Sequence, residues 1–362
     1  MKSWQPACMM VRTPPMMGAD RPAVKDGLEF GTILVTLIPL RDSVPMESSN
    51  NKRLFVACFI ALIATAFGFI IRTMVIDEWA MQFNLSATER GEILGVGLWP
   101  FALSIVLFSL VIDRIGYGRA IAFAFVCHVA SAIIAMCAPN VQGEFAHHSA
   151  AYWMLYLGNF VVALGNGTVE AVINPVVATM FSRDKTKWLN ILHAGWPGGL
   201  VLGGILTIGL STLAAKIGTP AHTGIDSWRF KVGLIFIPTI LYGLLMLGRQ
   251  FPVNERVEAG VPYRAMLQEA GTLGAMIVLA IIMAQVSAVF GGDWYWYVAA
   301  WAALVLAYGA YVQALGRIMF IFLLLVMIPL ATTELGVDSW STDLMGPEMT
   351  KLGYNAGWVL VY

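Results

Sequence analysis

The feature that most constrains this chain is a series of runs of about 20 apolar residues, each long enough as a helix to cross a hydrocarbon core of roughly 30 Å. Short polar segments separate them. Apolar residues make up 58% of the 362 positions and charged residues 12%, about half the charged share of a soluble domain. Burying that much apolar surface in a water-soluble core is not feasible, so the expected fold class is all-α and polytopic, with the lipid bilayer as solvent. The 22 basic and 22 acidic side chains cancel, which gives no reason to expect a nucleic-acid partner.

Spanning helices are expected near 54–76, 92–112, 119–138, 152–180, 189–214, 230–248, 272–291, 295–315 and 318–338, with a further one starting near Tyr354. Basic residues in short loops remain cytoplasmic, and they occur in every second loop. Lys52 and Arg53 precede the first run, and Arg114 and Arg119 follow the second. Arg183, Lys185 and Lys187 follow the fourth, and Arg249, Arg256 and Arg264 follow the sixth. The alternate loops are poorer in bases: 77–92 holds four acids and one Arg, and 139–151 holds Glu144 without Lys or Arg. The loop around Asp226, with Lys216, Arg229 and Lys231, fits neither pattern. A cytoplasmic N-terminus in the cell membrane follows.

Five segments result. Residues 1–51 form an N-terminal extension with one apolar stretch, 30–40, too short to span. The sequence at Met46, just before the first run, reads equally well as the start. Residues 52–250 form a six-helix bundle, 251–271 a cytoplasmic linker, 272–316 an additional transmembrane hairpin, and 317–362 the first helices of a second, truncated half. The hairpin turn Gly291-Gly292-Asp293 leads into Trp294, Tyr295, Trp296, Tyr297 and Trp301, a cluster suited to the headgroup interface. The alternative reading of that cluster is an aromatic sugar platform.

The residues that carry chemistry are the polar exceptions inside the apolar runs. On the fourth, Asn166, Glu170 and Asn174 fall at i, i+4 and i+8 and share one helix face. A carboxylate within the bilayer is costly and normally faces a bundle interior or an aqueous cavity, which suits a group that takes and releases a proton. Its plainer role is a protonated acid bonded to a neighbouring helix. Pro175 removes a backbone donor and marks a place for a bend. The fifth run opens Trp188-Leu-Asn190-Ile-Leu-His193-Ala-Gly195-Trp196-Pro197-Gly198-Gly199, followed by Gly203-Gly204. These small residues allow a close helix approach. Asn190, His193 and Trp196 are spaced to line a cavity, although for His193 an interhelical hydrogen bond serves equally. Arg72 and Asp77 stand at the end of the first run, where Arg72 has two readings: a partner for Asp77, or a site for an anionic solute.

The loop Val111-Ile-Asp113-Arg114-Ile-Gly116-Tyr117-Gly118-Arg119 resembles the signature loop of the major facilitator superfamily, G-x-x-x-D-R-x-G-R-R/K. Ser109 stands in place of its first Gly, and Tyr117 and Gly118 in place of basic positions. The resemblance implies a conformational latch formed by Asp113, Arg114, Gly116 and Arg119. Glu170-x-x-x-Asn174-Pro175, then Leu189-Asn190 and a Gly-rich fifth helix, resemble the fucose:proton symporter branch. This implies proton-coupled transport with Glu170 in the proton or substrate role, the proton as coupling ion, and a small polar solute such as a sugar. Counting back from Gln82-Phe83 places that branch's second acid on Asp77. His193 and Trp196 replace the branch's Gln and Asn, so the identity of the sugar does not carry over. The added hairpin departs from the twelve-helix plan of the superfamily.

Two other readings are a carrier or exporter of an organic anion held by Arg72, and a non-transporting membrane partner or fragment. Neither H-E-x-x-H nor G-x-S-x-G is present, so no enzyme is expected. Cys8, Cys58, Cys127 and Cys137 lack C-x-x-C spacing, and His147-His148 beside Glu144 reads as a solvated loop pair. Neither a metal site nor a cofactor is expected.

Overall fold

A computed structural model describes residues 46–139, 149–354 and 358–359. The expectations for residues 1–45, for Glu144, His147 and His148, and for most of a helix beyond Tyr354 lie outside the described residues. Among the described residues the chain is helical without strands. The order is α1 (Met46–Phe83), α2 (Ala87–Gly95), α3 (Trp99–Ile115), α4 (Tyr117–Met136), α5 (Ala150–Met180), α6 (Lys185–His193) and α7 (Gly195–Lys216). Then come α8 (Trp228–Gly233), α9 (Phe236–Met246), α10 (Glu255–Glu258), α11 (Tyr263–Phe290), α12 (Trp294–Val312) and α13 (Ile318–Lys351).

Joining helices across their short breaks gives eight segments, among the described residues, that are long and apolar enough to cross a membrane. They are Asn50–Phe83, Ala87–Ile115, Tyr117–Met136, Ala150–Met180, Lys185–Lys216, Trp228–Met246, Tyr263–Phe290 and Trp294–Val312. α13 opens with a shorter apolar stretch, Ile318–Glu334. The chain is an all-helical, multi-pass integral membrane protein.

Three places differ from the sequence expectation, one of them the expected span 318–338, whose apolar part ends at Glu334 within a helix that continues to Lys351. The first span runs to Phe83 and the next begins at Ala87, so most of the expected 77–92 loop is helical. The turn is fixed by a capping box, in which Ser86 accepts from the Glu89 backbone N–H while the Glu89 carboxylate accepts from the Ser86 N–H. The expected linker 251–271 holds α10 and the first turns of α11, and the helical path breaks at Gly271. There the returning segment after α12 crosses closely: Thr272 N–H donates to the Ala314 carbonyl (2.9 Å) and Arg317 N–H to that of Glu269 (3.0 Å).

Packing in an apolar solvent depends on shape, because lipid offers side chains nothing worse than the protein interior does. α5 lies against α3 and α4, while α1 lies against α7 and α9. A Cβ at Gly167 would collide with the Phe101 carbonyl oxygen of α3. At Gly199 of α7 it would lie 2.6 Å from the Ile63 carbonyl oxygen of α1. Of the small residues expected to admit a close helix approach on the fifth span, Gly195, Gly199 and Gly203 meet α1, while Gly198 faces open space. α5 continues through Pro175 to Met180 as one helix. α11 packs on α12 and α13, and Trp294 and Trp296 are exposed at the start of α12.

These contacts predict that Gly167→Ala and Gly199→Ala each destabilise the protein by about 1–3 kcal/mol through overpacking, read as a lower melting temperature in detergent. Gly209→Ala, where a Cβ meets open space, is expected to leave it unchanged.

Candidate functional site

Among the described residues, three separate groups of charged and titratable side chains stand out. The first joins α5 to α6. Asn174 donates from Nδ2 to the Glu170 carboxylate (2.8 Å) and to the Glu170 carbonyl (3.1 Å), and its Oδ1 lies 3.0 Å from His193 Nε2. An amide oxygen only accepts, so the His193 proton sits on Nε2. Glu170 is half-buried and His193 exposed. Asn174 therefore holds a titratable carboxyl inside an apolar span beside an imidazole that reaches the surface. Asn190 is exposed one turn before His193. Trp196 lies beyond the break at Ala194 and turns to Phe69 of α1, with ring centroids 6.1 Å apart. Asn190 and His193 thus share α6, while Trp196 is packed elsewhere.

The second group lies inside the bundle. Asn166 does not join Glu170 and Asn174. Each i+4 step overshoots a full turn by about 40°, so eight residues rotate Asn166 away from α6 and toward α4. Its Oδ1 is 2.9 Å from Nε2 of His128, whose Nδ1 accepts from the Tyr242 hydroxyl at 3.0 Å. Arg72 is also here, 2% exposed. It donates to the Gly68 carbonyl (3.0 Å) and to Ser131 Oγ (2.9 Å). Arg72 is not the partner of Asp77, which pairs with Arg90 at 3.0 Å. Arg72 is thus a buried cation bonded to neutral groups, an arrangement that costs several kcal/mol of desolvation.

The third group sits at the Phe83 end of α1. Lys231 Nζ bridges Glu78 (2.6 Å) and Asp226 (2.9 Å), and the His222 ring stands 3.3 Å from Glu78. Burial works against the Asp226 charge. Hydrogen bonds from Ser211, the His222 backbone N–H and Lys231 outweigh it, and hold the carboxyl below its ordinary value. This cluster borders a cavity of about 1170 Å³ walled by parts of α1, α2, α3, α7, α11 and α13. Of the residues proposed from sequence for solute or proton binding, only Asp77 is in that wall. Sequence reasoning passed over Glu78 as a loop acid and Lys231 as an ambiguous loop base. The available signal was that Lys231 lies inside an apolar span, where a lone charge needs a partner.

At the opposite ends of the helices, the Asp113 carboxylate takes a 2.6 Å ion pair from Arg256 Nε, and not from its neighbour Arg114. Arg114 and Arg256 lie 5.6 and 5.8 Å from the Tyr263 ring centroid, and the Tyr263 hydroxyl donates to the Leu110 carbonyl (3.0 Å). Asn254 donates to the Tyr117 hydroxyl (2.9 Å), and Lys185 pairs with Glu255 (2.7 Å). Gly116, at φ +79°, makes the turn between α3 and α4, and Arg119 is exposed.

No protein-family model matches the sequence, and no curated protein is significantly similar to it. Among solved structures, the chain is similar to tetrameric PepTSo2, with 12% identity and a TM-score of 0.46 over 79% of this chain and 53% of that one. It is also similar to a D-xylose-proton symporter, with 13% identity and a TM-score of 0.44 over 70% of this chain and 66% of that one. The chain thus spans about half the length of the first and just under two thirds of the second.

Because the Asp226 carboxyl titrates lower in the folded than in the unfolded chain, its stabilisation is complete above the unfolded value and lost as pH falls through the folded one. The melting temperature of Asp226→Asn should therefore lie below that of the wild type at neutral pH. The two should converge on acidification below the ordinary carboxylate range.

Proposed function

We propose that this chain is part of a secondary active transporter of the major facilitator type, carrying a small polar solute together with protons. The observation that carries the reading is Glu170, a half-buried acid within an apolar span, held by Asn174 next to His193. A carboxyl in that setting is discharged when protonated and costly when ionised. Its two protonation states therefore favour different surroundings, as ion coupling requires. Coupling arises when solute and proton both bias the same conformational equilibrium.

The Asp-Arg-x-Gly loop after the second span, the Glu-x-x-x-Asn-Pro pattern on the fourth, and six spans before a polar linker all support the family reading. The resemblance to the fucose symporter branch makes a sugar the first solute to test. The alternation of basic loops supports a cell-membrane location with the Lys52 end cytoplasmic. For the latch, Asp113 works through Arg256, which joins the loop after α3 to the segment leading into α11. The organic-anion reading gains no support from Arg72, which lies within the bundle.

In proteoliposomes holding the transporter, adding solute outside should draw protons inward and alkalinise the medium. Glu170→Gln should abolish the proton movement while solute exchange continues. Proton uptake undiminished in the variant would remove Glu170 from the mechanism.

A further inference from the structure

The cavity beside Glu78 has a charged end and an apolar body. Its wall carries three carboxylates, Asp77, Glu78 and Asp226, against two permanent cations, Arg90 and Lys231. Both cations are engaged: Arg90 pairs with Asp77, and Lys231 with Glu78 and Asp226. An incoming anion finds no uncommitted positive charge here. An incoming cation finds two acceptors. The Asp77 side chain is 71% exposed with Arg90 on one oxygen. Glu78, although only 8% exposed, makes no hydrogen bond through Oε2 among the described residues and has the His222 ring nitrogen 3.3 Å from that atom. A buried carboxylate oxygen left unbonded is expensive and rare. The His222 side chain beside it is 52% exposed, so an incoming donor competes with a solvent-accessible ring and not with a buried partner. Beyond this charged end the wall is mostly apolar, formed among others by Leu94, Leu98, Trp99, Ile282 and Met327, with Gln285 and Thr332 as its polar members.

We propose that this cavity binds a small amphipathic amine, with its ammonium group seated at Asp77 and Glu78 and its apolar body against the wall of α2, α3, α11 and α13. A protonated amine supplies the hydrogen-bond donor that Glu78 Oε2 lacks and offsets the excess negative charge. A neutral polyol would satisfy Glu78 but leave the apolar wall unfilled, and a carboxylate would face three of its own kind. The inference rests on the transporter reading only in making the amine a candidate for the transported solute. The binding site itself stands on the cavity.

The test uses three ligands with one apolar body and different heads: 2-phenylethylamine, 2-phenylethanol and phenylacetate. Each is titrated calorimetrically into the purified full chain in detergent. The amine is expected to bind about tenfold or more tighter than the alcohol, the increment of one charge-assisted hydrogen bond, and phenylacetate not to bind. Glu78→Gln should reduce the preference for the amine to near unity. Ala102→Trp, which fills the apolar wall, should abolish binding of both ligands. Should Glu78→Gln fail to fold, Asp77→Asn at the exposed acid should weaken the amine selectively. Equal affinity for amine and alcohol, tighter binding of phenylacetate, or amine binding that survives Ala102→Trp would each overturn the proposal. Equilibrium binding needs no gradient, so amine binding with no proton movement in vesicles driven by either amine or sugar would sink the transporter reading and leave the site intact. Proton movement driven by a sugar, with no amine binding, would do the reverse.

Discussion

The fold depends on how closely α5 approaches its neighbours. In a bilayer, apolar side chains gain little by leaving lipid, so helices are held by fit and by the few polar bonds between them. At Gly167 the absent side chain lets the backbone of α5 meet that of α3, and at Gly199 the same economy brings α7 onto α1. These contacts set the spacing at which the polar groups meet. His128 reaches both Asn166 and Tyr242 because α4, α5 and α9 converge there. Asn174 spans Glu170 and His193 because the end of α6 comes back beside the second half of α5.

The polar groups are spread along the helices. The Glu170 group lies toward the ends that carry Arg183 and Lys187, the Arg72 and His128 network is enclosed within the bundle, and the Lys231 cluster closes the far end. Each has a different electrostatic character. The first holds an acid that no base neutralises directly. The second holds a cation among neutral partners. The third is a dense set of ion pairs, in which Lys231 serves two carboxylates. Ion pairs are therefore densest where the chain borders a cavity, while the buried Arg72 is met by neutral partners.

Much of the fold was legible in the sequence, because apolar run length maps directly onto helix length. The expected spans match the helices within a few residues over most of the chain. The failures came where a polar residue stayed helical: 77–83 reads as a loop by charge, yet continues α1 because Glu78 finds Lys231 in space. The Glu170 and Asn174 pairing was readable from i+4 spacing. The separation of Asn166 was not, since a shared face over two turns hides a rotation that only neighbouring helices reveal. Arg72 misled for a related reason. Distance along the chain suggested Asp77 as its partner, whereas the helix points the two side chains in different directions. The Asp113 and Arg256 pair, separated by 143 positions, leaves no local trace at all.

That last pair changes what the segment after the sixth span is mechanically. A flexible connector would let whatever follows it tilt independently. Here the segment is pinned at several points within a few residues: Arg256 to Asp113, Asn254 to Tyr117, Glu255 to Lys185 and Tyr263 to Leu110. It behaves as a strut, passing force from α11 into the ends of α3, α4 and α6. Rotation of the later helices must either carry those ends along or break these contacts, the part-buried Asp113 pair among them.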